Sequence, residues 1–117
     1  MRYKIDEFEF DSVSLVLTKN DIAISIRHNE AKLLALFLKE TDKVFSKEEI
    51  LSQVWQDKVV SEQAVFQNIS HLRSLFGNQA IKTFSKRGYQ WQLSTELVSE
   101  VIPVIEIAKT DLITNVE

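Results

Sequence analysis

The fold is decided by the stretch Ser61-Glu62-Gln63-Ala64-Val65-Phe66-Gln67-Asn68-Ile69-Ser70-His71-Leu72-Arg73-Ser74-Leu75-Phe76-Gly77 together with Ile81-Lys82-Thr83-Phe84-Ser85-Lys86-Arg87-Gly88-Tyr89-Gln90-Trp91 just after it in the chain. In the first part Val65, Ile69, Leu72 and Phe76 recur at three- and four-residue intervals, the period of one helix face. Ser61 is placed to cap that helix and Gly77 to end it, so the spacing predicts a helix over 62–76. In the second part the period falls to two, with Ile81 and Thr83, then Tyr89, Trp91 and Leu93. Ser85-Lys86-Arg87-Gly88 lies between them as a turn, which makes 80–93 a β-hairpin. The outward side of the helix carries Gln63, Gln67, Ser70, His71 and Ser74. These are hydrogen-bond donors and acceptors with no carboxylate among them, whereas an ordinary solvated face mixes Glu with Lys. Lys86 and Arg87 sit at the hairpin tip.

Working back toward the N-terminus, Ser46-Lys47-Glu48-Glu49 has the spacing of a capping box, in which the Ser46 hydroxyl and the Glu49 carboxylate satisfy each other's backbone amides. Ile50, Leu51, Val54 and Trp55 form the apolar side of the helix it opens, and Gln56 to Val60 reads as a loop. Before it, Ala31, Leu34, Leu38 and Leu33, Phe37 predict a helix over about 28–41, joined by the short extended link Val44-Phe45. Residues 3–26 alternate: Tyr3, Ile5; Phe8, Phe10; Val13, Leu15, Leu17; Ile22, Ile24, Ile26. Asp11-Ser12 and Lys19-Asn20-Asp21 break this run into four short strands, which such short links make antiparallel. The expected architecture is α+β: a winged helix-turn-helix with an N-terminal four-stranded antiparallel sheet, three helices and a C-terminal β-hairpin wing. Residues 1–93 form that domain, and 94–117, without a clean period, read as an acidic linker or loosely docked tail.

Composition narrows the function. At 117 residues, 44% hydrophobic and 26% charged, the chain is one globular domain rather than a disordered tail. It has no cysteine, which removes disulfides, thiolate metal sites and a cysteine nucleophile. The longest apolar runs, Leu33 to Leu38 and Val101 to Ile105, are far short of the ~20 residues that cross a membrane, and no apolar stretch comes after Met1 to make a signal peptide. His28 and His71 stand alone, with no Ser/His/Asp or metal-ligand spacing around them, and Gly77 and Gly88 have turn or cap roles, so no catalytic site, metal or cofactor is expected. The net charge of −3 and the pI of 5.4 are unusual for a nucleic-acid binder. The charge is unevenly spread, however: residues 63–95 hold Arg73, Lys82, Lys86 and Arg87 and not one acid. That stretch is either a local basic face or a chance gap in a polar segment.

Taken together, the Asn29-Glu30 to Leu38 helix, Val44-Phe45-Ser46-Lys47-Glu48-Glu49-Ile50-Leu51 to Val54-Trp55, Ile69-Ser70-His71-Leu72-Arg73 and Ile81-Lys82-Thr83-Phe84-Ser85-Lys86-Arg87-Gly88-Tyr89 resemble the OmpR/PhoB-type winged-helix DNA-binding domain over about residues 3–93. Gln67-Asn68-Ile69-Ser70-His71-Leu72-Arg73 and Lys86-Arg87-Gly88-Tyr89-Gln90 are most similar to the ToxR/CadC branch. The resemblance implies a bacterial transcription regulator that binds double-stranded promoter DNA with repeated half-sites, as a weak homodimer on DNA. It implies a cytoplasmic domain, which in that branch leads through a linker into a membrane-spanning helix; here the chain is expected to be a fragment cut in the linker or a stand-alone relative. The sequence departs from the family at Arg27, where a Ser/Thr cap is usual, at the few basic residues on helix 62–76, and at Phe66, where a small or polar residue is usual.

By resemblance and position, Gln63, Gln67, Ser70 and His71 are the base-reading candidates, Gln67 foremost because it lies mid-face and Gln suits adenine edges. Phe66 has two readings: contact with a thymine methyl, or packing on the loop after Trp55. Lys47, Trp55, Arg73, Thr83 and Tyr89 are candidates for the DNA backbone, and Lys86 and Arg87, in a wing spanning 84–90, for phosphates or a narrow minor groove. Arg73 has an alternative as a salt bridge to an acid of the N-terminal half, Trp55 as a core residue and Tyr89 as a core-edge residue. The loop 56–61 matches the family's transactivation loop and is a candidate contact for RNA polymerase. A winged helix used only for protein–protein interaction is the competing function.

Overall fold

The computed structural model describes residues 1–56 and 59–98. The chain begins with four strands, β1 (Arg2–Ile5), β2 (Phe8–Asp11), β3 (Val16–Lys19) and β4 (Ile22–Ile24). Each pairs antiparallel with the next. Their inward residues Ile5, Phe8, Phe10 and Leu17 are buried. The β1–β2 link turns on Asp6 and the β3–β4 link on Asn20 and Asp21, all at positive φ, the conformation that Asn and Asp tolerate best among residues with a side chain.

Two expectations for this region are corrected. Val13 and Leu15 are not in a strand with Leu17. The Asp11 carboxylate accepts the amides of Val13 (2.9 Å) and Ser14 (3.3 Å), which folds residues 12–15 into a turn and leaves Val13 81% exposed. The sheet has five strands, not four: β7 (Glu96–Val98) pairs with the free edge of β1, Arg2 opposite Val98 and Lys4 opposite Glu96. An edge strand carries a row of unpaired backbone groups, and β7 satisfies one such row. Residues 96–98 therefore belong to the sheet rather than to a linker, and the rest of the expected tail, 99–117, lies outside the described residues.

Helix α1 (His28–Lys39) buries Ala31, Leu33, Leu34, Phe37 and Leu38. Helix α2 (Lys47–Val54) opens on the expected capping box, with the Glu49 amide donating to Ser46 Oγ (3.1 Å) and the Ser46 amide to Glu49 Oε1 (3.0 Å). Helix α3 (Glu62–Phe76) buries Val65, Ile69 and Leu72 and ends at Gly77, whose φ is +106°. Ser61 does not cap α3 with its hydroxyl; only its carbonyl is used, by the Ala64 amide. Strands β5 (Ile81–Phe84) and β6 (Gly88–Trp91) form the wing. Phe45 joins it through two backbone bonds with Tyr89, 2.8 and 2.9 Å long, so the extended link before α2 is stitched to the hairpin. Phe76 packs against Phe8 (ring centroids 4.5 Å apart) and Trp91 (5.4 Å), tying α3, the first sheet and the wing into one core.

Candidate nucleic-acid interface

The buried row of α3 fixes its outward row. Gln63, Phe66, Gln67, Ser70, His71 and Ser74 all face solvent. The amides of Gln63 and Gln67 have no partner among the described residues, so both are available to an external one. Ser74 donates to the Ser70 carbonyl at 3.1 Å. His71 differs from its neighbours: its Nδ1 is hydrogen-bonded to Glu30 Oε2 from α1. Glu30 is 5% exposed, and its other oxygen accepts the Arg27 amide (3.1 Å), which anchors the start of α1. With Nδ1 occupied by Glu30, Nε2 is the ring nitrogen left over. The start of α1, where Arg27 stands in place of the usual Ser/Thr cap, is thus held from Glu30.

The structure changes the reading of several expected backbone contacts. Arg73 directs Nε (3.1 Å) and Nη2 (2.7 Å) at the Ile81 carbonyl, and Nη2 also donates to Thr83 Oγ1 (3.0 Å). These bonds fasten α3 to β5, and no salt bridge joins Arg73 to an acid of the N-terminal half among the described residues. Thr83 is exposed but already accepts from that guanidinium. Trp55 is buried, 5% exposed, as a core residue between α2 and the loop. Tyr89 is buried too, at 8%. Lys47 is exposed and bonded to Glu62 (2.8 Å), a bond that raises the Lys47 ammonium above its ordinary range. Of the loop 56–61, residues 57 and 58 lie outside the described residues, and Val59 is fully exposed.

At the wing, the Arg87 amide closes the turn on the Phe84 carbonyl (2.9 Å), with Lys86 at φ +63°. Lys82 Nζ lies 5.0 Å and the Arg87 guanidinium 5.7 Å from the centroid of the Phe84 ring, a cation–π arrangement that gathers charge on one side of the hairpin. No salt bridge neutralises Lys82, Lys86 or Arg87 among the described residues. The wing tip and the N-terminus of α2 border a cleft of about 370 Å³ whose lining includes Lys47, Thr83, Lys86, Arg87 and Tyr89 and one acid, Glu48. Gly88 makes this approach possible: its φ is +140°, and a Cβ there would lie 1.9 Å from the Phe45 carbonyl oxygen.

The expected residues therefore separate into an outward set and an internal set. Gln63, Gln67, Ser70, Lys86 and Arg87 are exposed; Arg73 bonds β5, and Trp55 and Tyr89 are buried in the core. Sequence reasoning missed Glu30, whose spacing from Arg27 signals a helix cap but not the imidazole it meets, and Lys82, visible only as one of four cations. It also left Phe66 between two readings, and that side chain is 56% exposed.

A family model described as "Transcriptional regulatory protein, C terminal" matches residues 20–91. Among curated proteins, the chain is similar to Protein PsaE of Yersinia pseudotuberculosis, 31% identical over 87 residues that cover 71% of this chain and 41% of PsaE. It is also similar to the cholera toxin transcriptional activator of Vibrio cholerae, 31% identical over 105 residues, 81% of this chain and 36% of that protein. The chain thus spans less than half the length of both relatives. Among solved structures, the DNA-binding domain of E. coli CadC superposes with a TM-score of 0.71 at 24% identity, over 83% of this chain and 96% of that one. At that identity the likeness speaks for the fold, and it bears out the winged-helix architecture.

Proposed function

This chain belongs to the family of C-terminal domains of transcriptional regulatory proteins, a family of regulators and not of enzymes, and on that premise we propose that it binds double-stranded DNA sequence-specifically. Helix α3 enters the major groove, and the wing, residues 84–90, lies on the adjacent backbone or minor groove. The observation that carries this is the outward face of α3: side-chain amides at Gln63 and Gln67 without partners among the described residues, no carboxylate along the helix after Glu62, and three cations on the neighbouring hairpin without a salt bridge among the described residues. Such a face meets phosphates without repulsion and offers the donor–acceptor pairs that base edges require.

Within that reading, Gln63, Gln67 and Ser70 read bases, with His71 presenting Nε2. Lys47, Lys86 and Arg87 meet phosphates, Lys47 by exchanging Glu62 for one. One helix and one wing make a small module, which supports two copies meeting on repeated half-sites. The loop 56–61 joins α2 to α3 in the chain, and the full exposure of Val59 supports it as a contact for RNA polymerase. A DNA-binding role places the domain in the compartment that holds the chromosome, the cytoplasm. A gel shift with promoter DNA across a salt series tests the proposal. Affinity should fall linearly on a log–log plot, and Lys86→Ala or Arg87→Ala should each flatten the slope by about one unit. Binding that ignores salt, or no binding, returns the domain to protein–protein interaction.

A further inference from the structure

Hydrogen bonding does not account for Phe66. It is 56% exposed and makes no ring contact with another side chain among the described residues. Single exposed apolar residues are common on soluble proteins, so its position matters more than its exposure. Phe66 stands three residues after Gln63, next to Gln67 and four before Ser70, within the outward row of α3. It also lies in the N-terminal third of that helix, the part that contacts base edges when such a helix docks in the major groove. Its cleft, of about 320 Å³, is shared with Lys47, Glu62, Gln63 and Tyr89, so the side chain lies between a candidate base reader and a candidate phosphate contact that is paired with Glu62.

The major groove offers an apolar side chain little to touch. Base edges there present nitrogen and oxygen donors and acceptors, and the one apolar group on the unmodified bases is the C5-methyl of thymine. We propose that Phe66 is a specificity-determining residue that reads thymine by packing its ring on that methyl. The inference rests on the DNA-binding reading of α3 and deepens it. Gln63 and Gln67 favour adenine, while Phe66 fixes where, and on which strand, a thymine must stand.

The test removes only the methyl. Duplexes are enriched from a random double-stranded library by repeated binding to the 117-residue chain, then resynthesised with deoxyuridine replacing each thymine in turn. Uracil pairs as thymine does and lacks only the methyl. At one or two positions the wild-type chain should lose about fourfold in affinity, the worth of one apolar carbon returned to water. Phe66→Ala should bind the thymine and uracil duplexes equally, and Phe66→Leu should keep part of the difference. Uracil without effect on the wild type at every position overturns the inference. So does an equal loss in the wild type and Phe66→Ala, which would place the methyl contact elsewhere. Failure to bind any duplex in a salt-dependent way instead overturns the DNA-binding reading on which it stands.

Discussion

Replacing Arg73 by Ala tests whether this side chain serves the fold or the DNA. Its guanidinium donates twice to the Ile81 carbonyl, at 3.1 and 2.7 Å, and once to Thr83 Oγ1 at 3.0 Å. Ile81 is 1% exposed, so water reaches that carbonyl poorly once the arginine is gone. Hydrogen bonds from a charged donor are worth about 1.5–3 kcal/mol, and a buried acceptor left unsatisfied costs a similar amount. Counting the pair as one interaction, because the two effects overlap, the loss is about 2 kcal/mol. For a domain of this size each kcal/mol moves the midpoint by roughly 4–8 °C, so melting should fall by roughly 8–16 °C. Circular dichroism tracks the melt, and the salt dependence of DNA binding is measured beside it. Arg73→Lys sharpens the comparison, since it keeps the charge but lacks the planar fork; it should lose most of the stability and leave the salt slope alone. If Arg73→Ala melts with the wild type while its salt slope falls by about one unit, the arginine is a phosphate anchor and the fastening role is refuted.

Three further outcomes are expected. Gln67→Ala should lose about 1–3 kcal/mol of discrimination between an enriched duplex and random DNA at one salt concentration, with random-DNA affinity unchanged; an equal fall on both removes Gln67 from base reading. Gly88→Ala should cost roughly 3 kcal/mol in urea unfolding, because the added methyl would meet the Phe45 carbonyl at 1.9 Å from a backbone at φ +140°; unchanged stability would show that the wing does not pass this close. The Lys43 ammonium first, and the Ser46 amide second, hold the Glu49 carboxyl below its ordinary value of 4.5, so its contribution is present above that value and is lost as the pH falls through the lowered one. Because the group is solvent-exposed the effect is small, and Glu49→Gln should flatten that acid limb of the stability curve; an identical limb in both proteins would assign acid lability elsewhere.

Elements that satisfy themselves locally were legible in the sequence. The Ser46–Glu49 box is written in four consecutive residues, and α3 shows its buried row in Val65, Ile69 and Leu72, so their identity needed no knowledge of the rest of the chain. What failed depended on partners far along it or on a single side chain's reach. Val13, Leu15 and Leu17 keep a period of two across a bend, and only the reach of the Asp11 carboxylate to the next amides reveals a turn. Glu96-Leu97-Val98 is too short to declare itself; the open edge of β1, at the opposite end of the domain's sequence, makes it a strand. The same holds for the site. Gln63 and Gln67 face outward because of their own helix, whereas the roles of Arg73 and His71 are set by Ile81 and Glu30, which spacing along one helix does not show.

The charge distribution also explains how an acidic domain can present a face to DNA. Three acids near that face are engaged: Glu30 holds His71 and the Arg27 amide, Glu49 bonds Lys43 and Ser46, and Glu62 bonds Lys47, while Glu48 stands exposed beside the wing cleft with no such partner among the described residues. The wing cations have no such partners among the described residues, and Phe84 collects two of them on one ring. About three or four phosphate contacts give a weak, salt-sensitive hold on any sequence, so a single copy relies on what its helix face can read. Here that face is short amides, a hydroxyl, an imidazole held from behind and an exposed phenyl ring, which together add little sequence-blind attraction. On the proposed reading, two copies on adjacent half-sites would let these weak holds act together, while specificity would stay with the few outward side chains of α3.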